Sequence, residues 1–186
     1  MEDKRIKSAL EIAMERAASL PGLTQEELAE QKQREYQPRG AAMARRYLEG
    51  ALKERDLQTE LSKYEGQEGE IVKRAVLLTL KQSIKIESKS IGLRALDGIK
   101  AVEPSGDLGE IRRQIEAIFD EFNQQLEQEN PRYEALDKER FQELGISGSA
   151  VKPNLEESQT WQAELKRIQS EYGSRIRKLK ENLLPD

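Results

Sequence analysis

Apolar side chains recur along the chain at intervals of three and four residues, the spacing that places them on one face of an α-helix. The clearest example lies near the C-terminus, where the intervals are 4, 3, 4, 4, 3 and 4, an 11-residue period that occurs twice. Such a period keeps an apolar stripe on one side of a nearly straight helix. We expect this helix either to dock along its own chain or to pair with a second copy, through Trp161, Leu165, Ile168, Tyr172, Ile176, Leu179 and Leu183.

Two helices are predicted before the first internal proline. The first covers residues 3–20, and the second begins after Thr24, which has Glu27 three residues on and so matches a capping box. The second helix should end near Tyr36, because Pro38 disfavours the helical conformation of the residue before it.

The middle of the chain predicts two further helices. One covers residues 39–64 and opens with small side chains from Gly40 to Ala44, which would allow another helix to approach closely. The next contains the richest apolar run, starting at Ile71, and is expected to be central and surrounded. A buried strand is the alternative for this run, but apolar residues continue at sevenfold spacing well past the length of a strand.

Asp107 is expected to cap an amphipathic helix that ends before Pro131, followed by a shorter helix over residues 132–144 that stops at Gly145. The fold class is therefore all-α, a helical bundle of about six to seven helices with a long C-terminal helix. We expect a bundle over residues 1–145, a flexible loop over 146–154, and a C-terminal helix over 155–186 that docks on the bundle or on a second subunit.

Composition removes several kinds of chemistry. The chain has neither histidine nor cysteine, which excludes histidine- or cysteine-bound zinc sites, Ser-His-Asp triads and Cys-His machinery. No signal-peptide pattern opens the sequence, and no window reaches the length of a membrane span. We therefore expect a cytoplasmic protein with no membrane partner.

Charge is segregated into blocks. Residues 71–100 and 166–180 each carry a net charge of +5, whereas residues 101–145 carry −7. The blocks are expected chiefly to neutralise one another, although they could instead present one sign to a partner. A candidate basic patch joins side chains from both basic blocks, the first three lying one turn apart on one predicted helix: Lys81, Lys85, Lys89, Arg175 and Lys178.

Carboxylate chemistry is the catalytic alternative that composition leaves open. Two acidic side chains three residues apart share a helix face, where they could hold Mg²⁺ as in all-helical nucleotide phosphohydrolases. The candidate metal ligands are Glu27 with Glu30 and Glu134 with Asp137. Such pairs also arise by chance among 35 acidic residues, and the simpler interpretation is an acidic helix face exposed to solvent.

Nucleic-acid binding through residues 73–89 or 166–180 is a further alternative. A sequence pI near 5.3 and an aromatic content of 5% are not typical of that class, so nucleic acid is disfavoured as a partner.

The segment Lys7-Ser8-Ala9-Leu10-Glu11-Ile12-Ala13-Met14-Glu15-Arg16-Ala17, with Arg45-Arg46-Tyr47-Leu48-Glu49-Gly50, resembles a family of small uncharacterised bacterial helical proteins. The resemblance covers mainly residues 1–60, implies a bacterial source, and carries no assigned activity or site residue.

Long helices with one apolar stripe, segregated charge and the lack of a recognisable catalytic motif favour a non-enzymatic protein. We expect it to act through protein contacts, as a homo-oligomer or with another protein, and to need no cofactor.

Overall fold

The computed structural model describes residues 8–9, 24–104, 108–146, 148 and 153–183. Every regular element in these ranges is an α-helix, which confirms the all-helical fold class. Among these helices, none combines the length and the hydropathy that crossing a membrane would require. The helices are α1 (Gln25–Leu48), α2 (Glu54–Leu61), α3 (Gly66–Ser83), α4 (Lys89–Val102), α5 (Leu108–Glu143) and α6 (Gln159–Glu181). The predicted cap Asp107 and the predicted first helix, except residues 8–9, lie outside the described residues.

The start of α1 matches the predicted capping box. The Thr24 hydroxyl accepts a hydrogen bond from the Glu27 amide at 3.2 Å, and the Glu27 carboxylate accepts one from the Thr24 amide at 2.8 Å. Each bond satisfies a backbone donor that a helix start would otherwise leave unpaired.

The prediction that a helix ends before Pro38 is wrong. Helix α1 runs through Pro38 to Leu48, and this proline is exposed to solvent. An internal proline costs about 3 kcal/mol because it removes one helical hydrogen bond and crowds the preceding turn. Packing on both sides offsets that cost: Tyr36 stacks edge-on against Tyr64 with ring centroids 6.1 Å apart, and Gly40 is buried against α3.

The predicted end before Pro131 is wrong for the same reason. Helix α5 continues to Glu143 as a single helix, and Pro131 is exposed. Just beyond it the Tyr133 ring packs on Trp161 of α6, with centroids 5.3 Å apart. Gly145, at φ 76°, ends the element where the sequence predicted.

Two predicted helices are each divided. The helix expected over 39–64 breaks at Gly50, whose φ of 90° favours glycine. Arg94 closes this break, because its guanidinium donates to the carbonyls of Tyr47 at 2.7 Å and Leu52 at 3.3 Å.

The predicted helix that contains the apolar run from Ile71 is also divided, because α3 ends at Ser83. Ile84 and Ile86 turn into the core, 1% and 4% exposed, before α4 begins at Lys89. The expected single stripe of Lys81, Lys85 and Lys89 is therefore wrong, since Lys81 lies on α3, Lys85 on the segment between the helices and Lys89 at the start of α4.

Helix α3 packs mainly against α1 and α4, and its Val72, Val76 and Leu80 are fully buried. It is not surrounded on every side, because Leu78 is 44% exposed. The approach of α1 is close: a Cβ atom on Gly40 would lie 2.4 Å from the Val72 carbonyl oxygen. The small side chains after residue 39 therefore allow the close approach that the sequence predicted.

The apolar stripe of α6 packs within its own chain. Tyr172 meets Phe122 of α5 with ring centroids 5.7 Å apart, and Ile168 is fully buried. Trp161, Ile176 and Leu183 are also buried, while Leu165 and Leu179 are half-buried. These contacts place the stripe of α6 along its own chain.

We expect Gly40→Ala to lower the free energy of unfolding by about 1–3 kcal/mol, because the added methyl group meets a backbone oxygen that cannot move alone. Gly109→Ala is the matched control. Apart from its chain neighbours and its own helix backbone, no atom of the described residues lies within 4 Å of its added methyl group, so this change should be neutral or stabilising by up to about 1 kcal/mol. Urea unfolding followed by Trp161 fluorescence measures both, and equal effects would contradict the close approach of α1 to α3.

Ile168→Asp should destabilise the protein by several kcal/mol, since it places a carboxylate at a fully buried position between α5 and α6. Ala163→Asp adds the same charge at an exposed position of the same helix and should cost less than about 1 kcal/mol. Thermal unfolding by circular dichroism compares them. An unchanged melting temperature for Ile168→Asp would refute the docking of α6.

Stability should fall at alkaline pH through Tyr47. Burial, with the carboxylates of Glu54 and Asp97, raises the pKa of Tyr47 to about 12, against about 10 when unfolded. Between these values the folded state holds a proton that the unfolded state has lost, so stability decreases with pH by up to about 1.4 kcal/mol per unit. Tyr47→Phe should remove this contribution. Urea unfolding of both proteins across that interval tests it, and parallel stability curves would contradict it.

Candidate functional site

The first acidic pair is occupied by local contacts of α1. Glu27 forms the capping box with Thr24, and Glu30 accepts a hydrogen bond from Arg34 one turn later at 3.0 Å. Both carboxylates lie on the exposed start of the helix. Both carboxylates therefore stabilise the start of α1 through hydrogen bonds with nearby residues in the sequence.

The second acidic pair lies on α5, where Glu134 is exposed and Asp137 is buried, with 8% of its surface accessible. Across the described residues no three acidic side chains come together in a group that could hold a metal ion. The two candidate pairs lie on different helices, α1 and α5.

The candidate basic patch is divided between two sides of α6. Lys89 pairs with Asp120 of α5. Arg175 pairs with Glu121 at 2.7 Å and lies 5.0 Å from the centre of the Tyr172 ring. Lys178 is exposed and lines a cavity with Arg175 and Glu121 on this same side. The acidic side chains of α5 therefore neutralise much of this half of the patch.

Lys85 lies on the other side, in a groove of about 490 Å³ between residues 82–87 and α6. The lining of this groove includes four cationic side chains and one carboxylate. We call it the basic groove; its charged residues are Lys85, Lys166, Arg177, Lys180 and Glu87.

The four cations of the basic groove differ from most of their neighbours in having no acidic partner among the described residues. Within the ranges that the structure describes, no salt bridge involves Lys85, Lys166, Arg177 or Lys180. By contrast, Arg167 on the adjoining face of α6 pairs with Glu164 and Glu171. Positive charge in the groove is therefore available to an anion from outside.

Lys180 is held at the inner end of the groove. Its ammonium group donates a hydrogen bond of 3.0 Å to the carbonyl oxygen of Ile84, the residue that directly follows α3. A cation beside the C-terminus of α3 is favourable, because the last carbonyl groups of that helix carry partial negative charge.

The surroundings of Lys180 also disfavour its charge. Burial lowers the pKa of Lys180, and the positive charges of Lys85, Lys81 and Arg177 lower that pKa further. An anion bound beside these groups would relieve the repulsion, so the groove has an electrostatic reason to bind one.

A second groove, of about 770 Å³, adjoins the basic groove and shares Gln82, Lys85 and Glu87 with it. It lies along α1 and α3, and its lining includes two large apolar side chains that remain exposed, Leu78 at 44% and Ile91 at 42%. Four of its twelve lining residues are apolar and eight are polar or charged, Arg45 among them. We call it the apolar groove after its two exposed apolar side chains. Together the two grooves form a continuous surface with a cationic end and an end that exposes Leu78 and Ile91.

Of the residues in the predicted basic patch, Lys85 lines the basic groove, whereas Arg175 and Lys178 lie on the other side of α6. The groove instead uses Lys166, Arg177 and Lys180, whose spacings of 11 and 3 residues, with Gly173 between them, follow one face of α6. That spacing is the signal that could have identified them.

Comparison with protein-family models, with curated proteins and with solved structures found no match to this chain. Any functional interpretation therefore depends on the geometry of the residues themselves.

Proposed function

We propose that the protein is a non-enzymatic interaction protein that binds an acidic segment of another protein on the surface formed by the basic and apolar grooves. The observation that carries the proposal is the convergence of four cations, which have no salt-bridge partner in the described part of the chain, beside exposed apolar side chains. An amphipathic segment with carboxylates on one side and aliphatic side chains on the other has the matching chemistry.

The apolar end favours a protein over a nucleic acid. Leu78 and Ile91 can bury aliphatic side chains of a partner, which a phosphate backbone cannot supply. Among the residues that the structure describes, no aromatic side chain lines either groove, whereas proteins that bind single strands stack bases on aromatic rings. The net charge of −4 also opposes a long polyanion beyond the groove.

Pairing of two copies through the α6 stripe has less support than a separate partner. The stripe is already packed against α5, so its apolar area contributes to the fold of one chain. Carboxylate-based hydrolysis has less support as well, because Glu27 and Glu30 are engaged at the start of α1.

Fluorescence anisotropy with a labelled amphipathic peptide rich in glutamate and leucine tests the proposal. We expect binding that weakens between low salt and ~0.15 M salt, because the charge pairs lie at the surface and are screened. A peptide with glutamine in place of glutamate should bind at least about tenfold more weakly, since it forms no charge-assisted hydrogen bonds.

The double variant Lys166→Gln with Arg177→Gln should weaken binding of the acidic peptide by about tenfold or more, because it removes two of the four groove cations. The control, Lys138→Gln with Lys178→Gln, removes the same net charge from exposed positions outside the groove and should change Kd by roughly twofold at most. Equal losses in the two variants would contradict a localised site. Tighter binding of a single-stranded oligonucleotide than of the peptide would favour the nucleic-acid alternative.

A further inference from the structure

The inner end of the basic groove is built more rigidly than its rim. Lys180 is half-buried and its ammonium group is fixed by the Ile84 carbonyl oxygen at 3.0 Å. A charged group already held in place loses less conformational entropy when it binds a ligand. The exposed Lys166, Arg177 and Lys85 around it can adjust to the ligand's outer oxygens.

The density of charge at this point exceeds what one carboxylate would neutralise. Lys85, Arg177 and Lys180 line this part of the groove together with one carboxylate, that of Glu87. The positive charges of Lys85 and Arg177 add to burial in lowering the pKa of Lys180. A phosphoryl group carries about −1.5 to −2 charges at neutral pH and three strong acceptor oxygens, against one charge and two oxygens for a carboxylate. Arg177 adds a planar fork of donors that suits phosphate geometry.

Neutral donors and an open floor complete the inner end. Gln82, Gln169 and Ser170 line the groove between the cations. Gly173 lies on the floor, where an added Cβ atom would be 3.9 Å from the Ile86 side chain, an ordinary contact distance. Glycine inside a helix costs about 1 kcal/mol against alanine, and neither a steric clash nor a positive φ requires it here. The absence of a side chain at Gly173 leaves space on the groove side of α6.

We infer that the inner end of the basic groove is a phosphoryl-binding site, in which Lys180, Arg177 and Lys85 receive the oxygens of a phosphomonoester. The inference rests on the proposed function, because the acidic segment of the partner is the expected carrier of the group, as a phosphorylated serine or threonine. Free phosphate shares the same chemistry and is the other source.

Three labelled peptides that differ only at one central position test the inference by fluorescence anisotropy. With phosphoserine at that position the peptide should bind at least about tenfold more tightly than with aspartate, and the serine peptide should bind most weakly. Equal affinity of the phosphoserine and aspartate peptides would overturn the phosphoryl site. The proposed function would still hold in that case if both bound more tightly than the serine peptide. Absence of binding by all three would overturn both proposals.

Two variants locate the phosphoryl group. Arg177→Lys keeps the charge but removes the planar fork, and should reduce the preference for phosphoserine over aspartate by several-fold. Gly173→Leu fills the floor without changing charge and should abolish that preference. Lys178→Gln, on the same helix outside the groove, should leave the preference unchanged. Melting temperatures confirm folding, and a preference retained in both groove variants would overturn the assignment.

Competition with inorganic phosphate distinguishes the two sources. Displacement of the phosphoserine peptide by millimolar phosphate, but not by chloride at equal ionic strength, supports a site that also takes the free anion. Failure of phosphate to compete, together with the tenfold preference for phosphoserine, supports a site that requires the peptide. Equal displacement by chloride would show general screening and would overturn the site.

Discussion

The position of the basic groove depends on the inward turn of the chain after Ser83. Ile84 and Ile86 are buried at alternate positions, so Lys85 between them must point outward, toward α6. The same turn presents the Ile84 carbonyl oxygen to Lys180. If α3 continued as a regular helix, the Ile84 carbonyl oxygen would accept a hydrogen bond within the helix. Lys85 would then lie about 100° around the helix axis from Ile84. Two buried isoleucines therefore determine where a surface charge lies.

Segregated charge along the chain becomes two different surfaces in the fold. On one side of α6, acidic residues of α5 meet basic ones, as in Glu121 with Arg175 and Asp120 with Lys89, so the blocks neutralise each other as the sequence predicted. On the other side α6 faces the short segment after α3, which supplies only Glu87. The candidate site was only partly predictable for this reason. The excess of lysine and arginine was evident, but which face meets α5 depends on contacts between distant parts of the chain.

Local signals predicted the fold class and several helix ends. Thr24 with Glu27 and the apolar stripe of α6 require only neighbouring residues, and both were predicted correctly. The predicted helix ends before Pro38 and Pro131 were wrong, because the contacts that offset the cost of these prolines come from other helices. The Tyr133 ring, for example, packs on Trp161 of α6 and stabilises α5 just beyond Pro131. The break after Ser83 was missed for the opposite reason. Ile84 continues a helical spacing, and only burial against distant helices makes the chain turn there.

The hydrogen bond from Lys180 to Ile84 joins residues 96 positions apart in the sequence. The two walls of the basic groove are thus formed by segments that are about half of the chain apart in sequence. Bringing them together carries a high entropic cost of loop closure. A partly folded chain in which α6 has not docked has no groove at all. A ligand of the groove would then bind only the complete native state and would stabilise it by mass action. A bound ligand would therefore slow unfolding if α6 separates from the rest of the chain before the transition state of unfolding is reached.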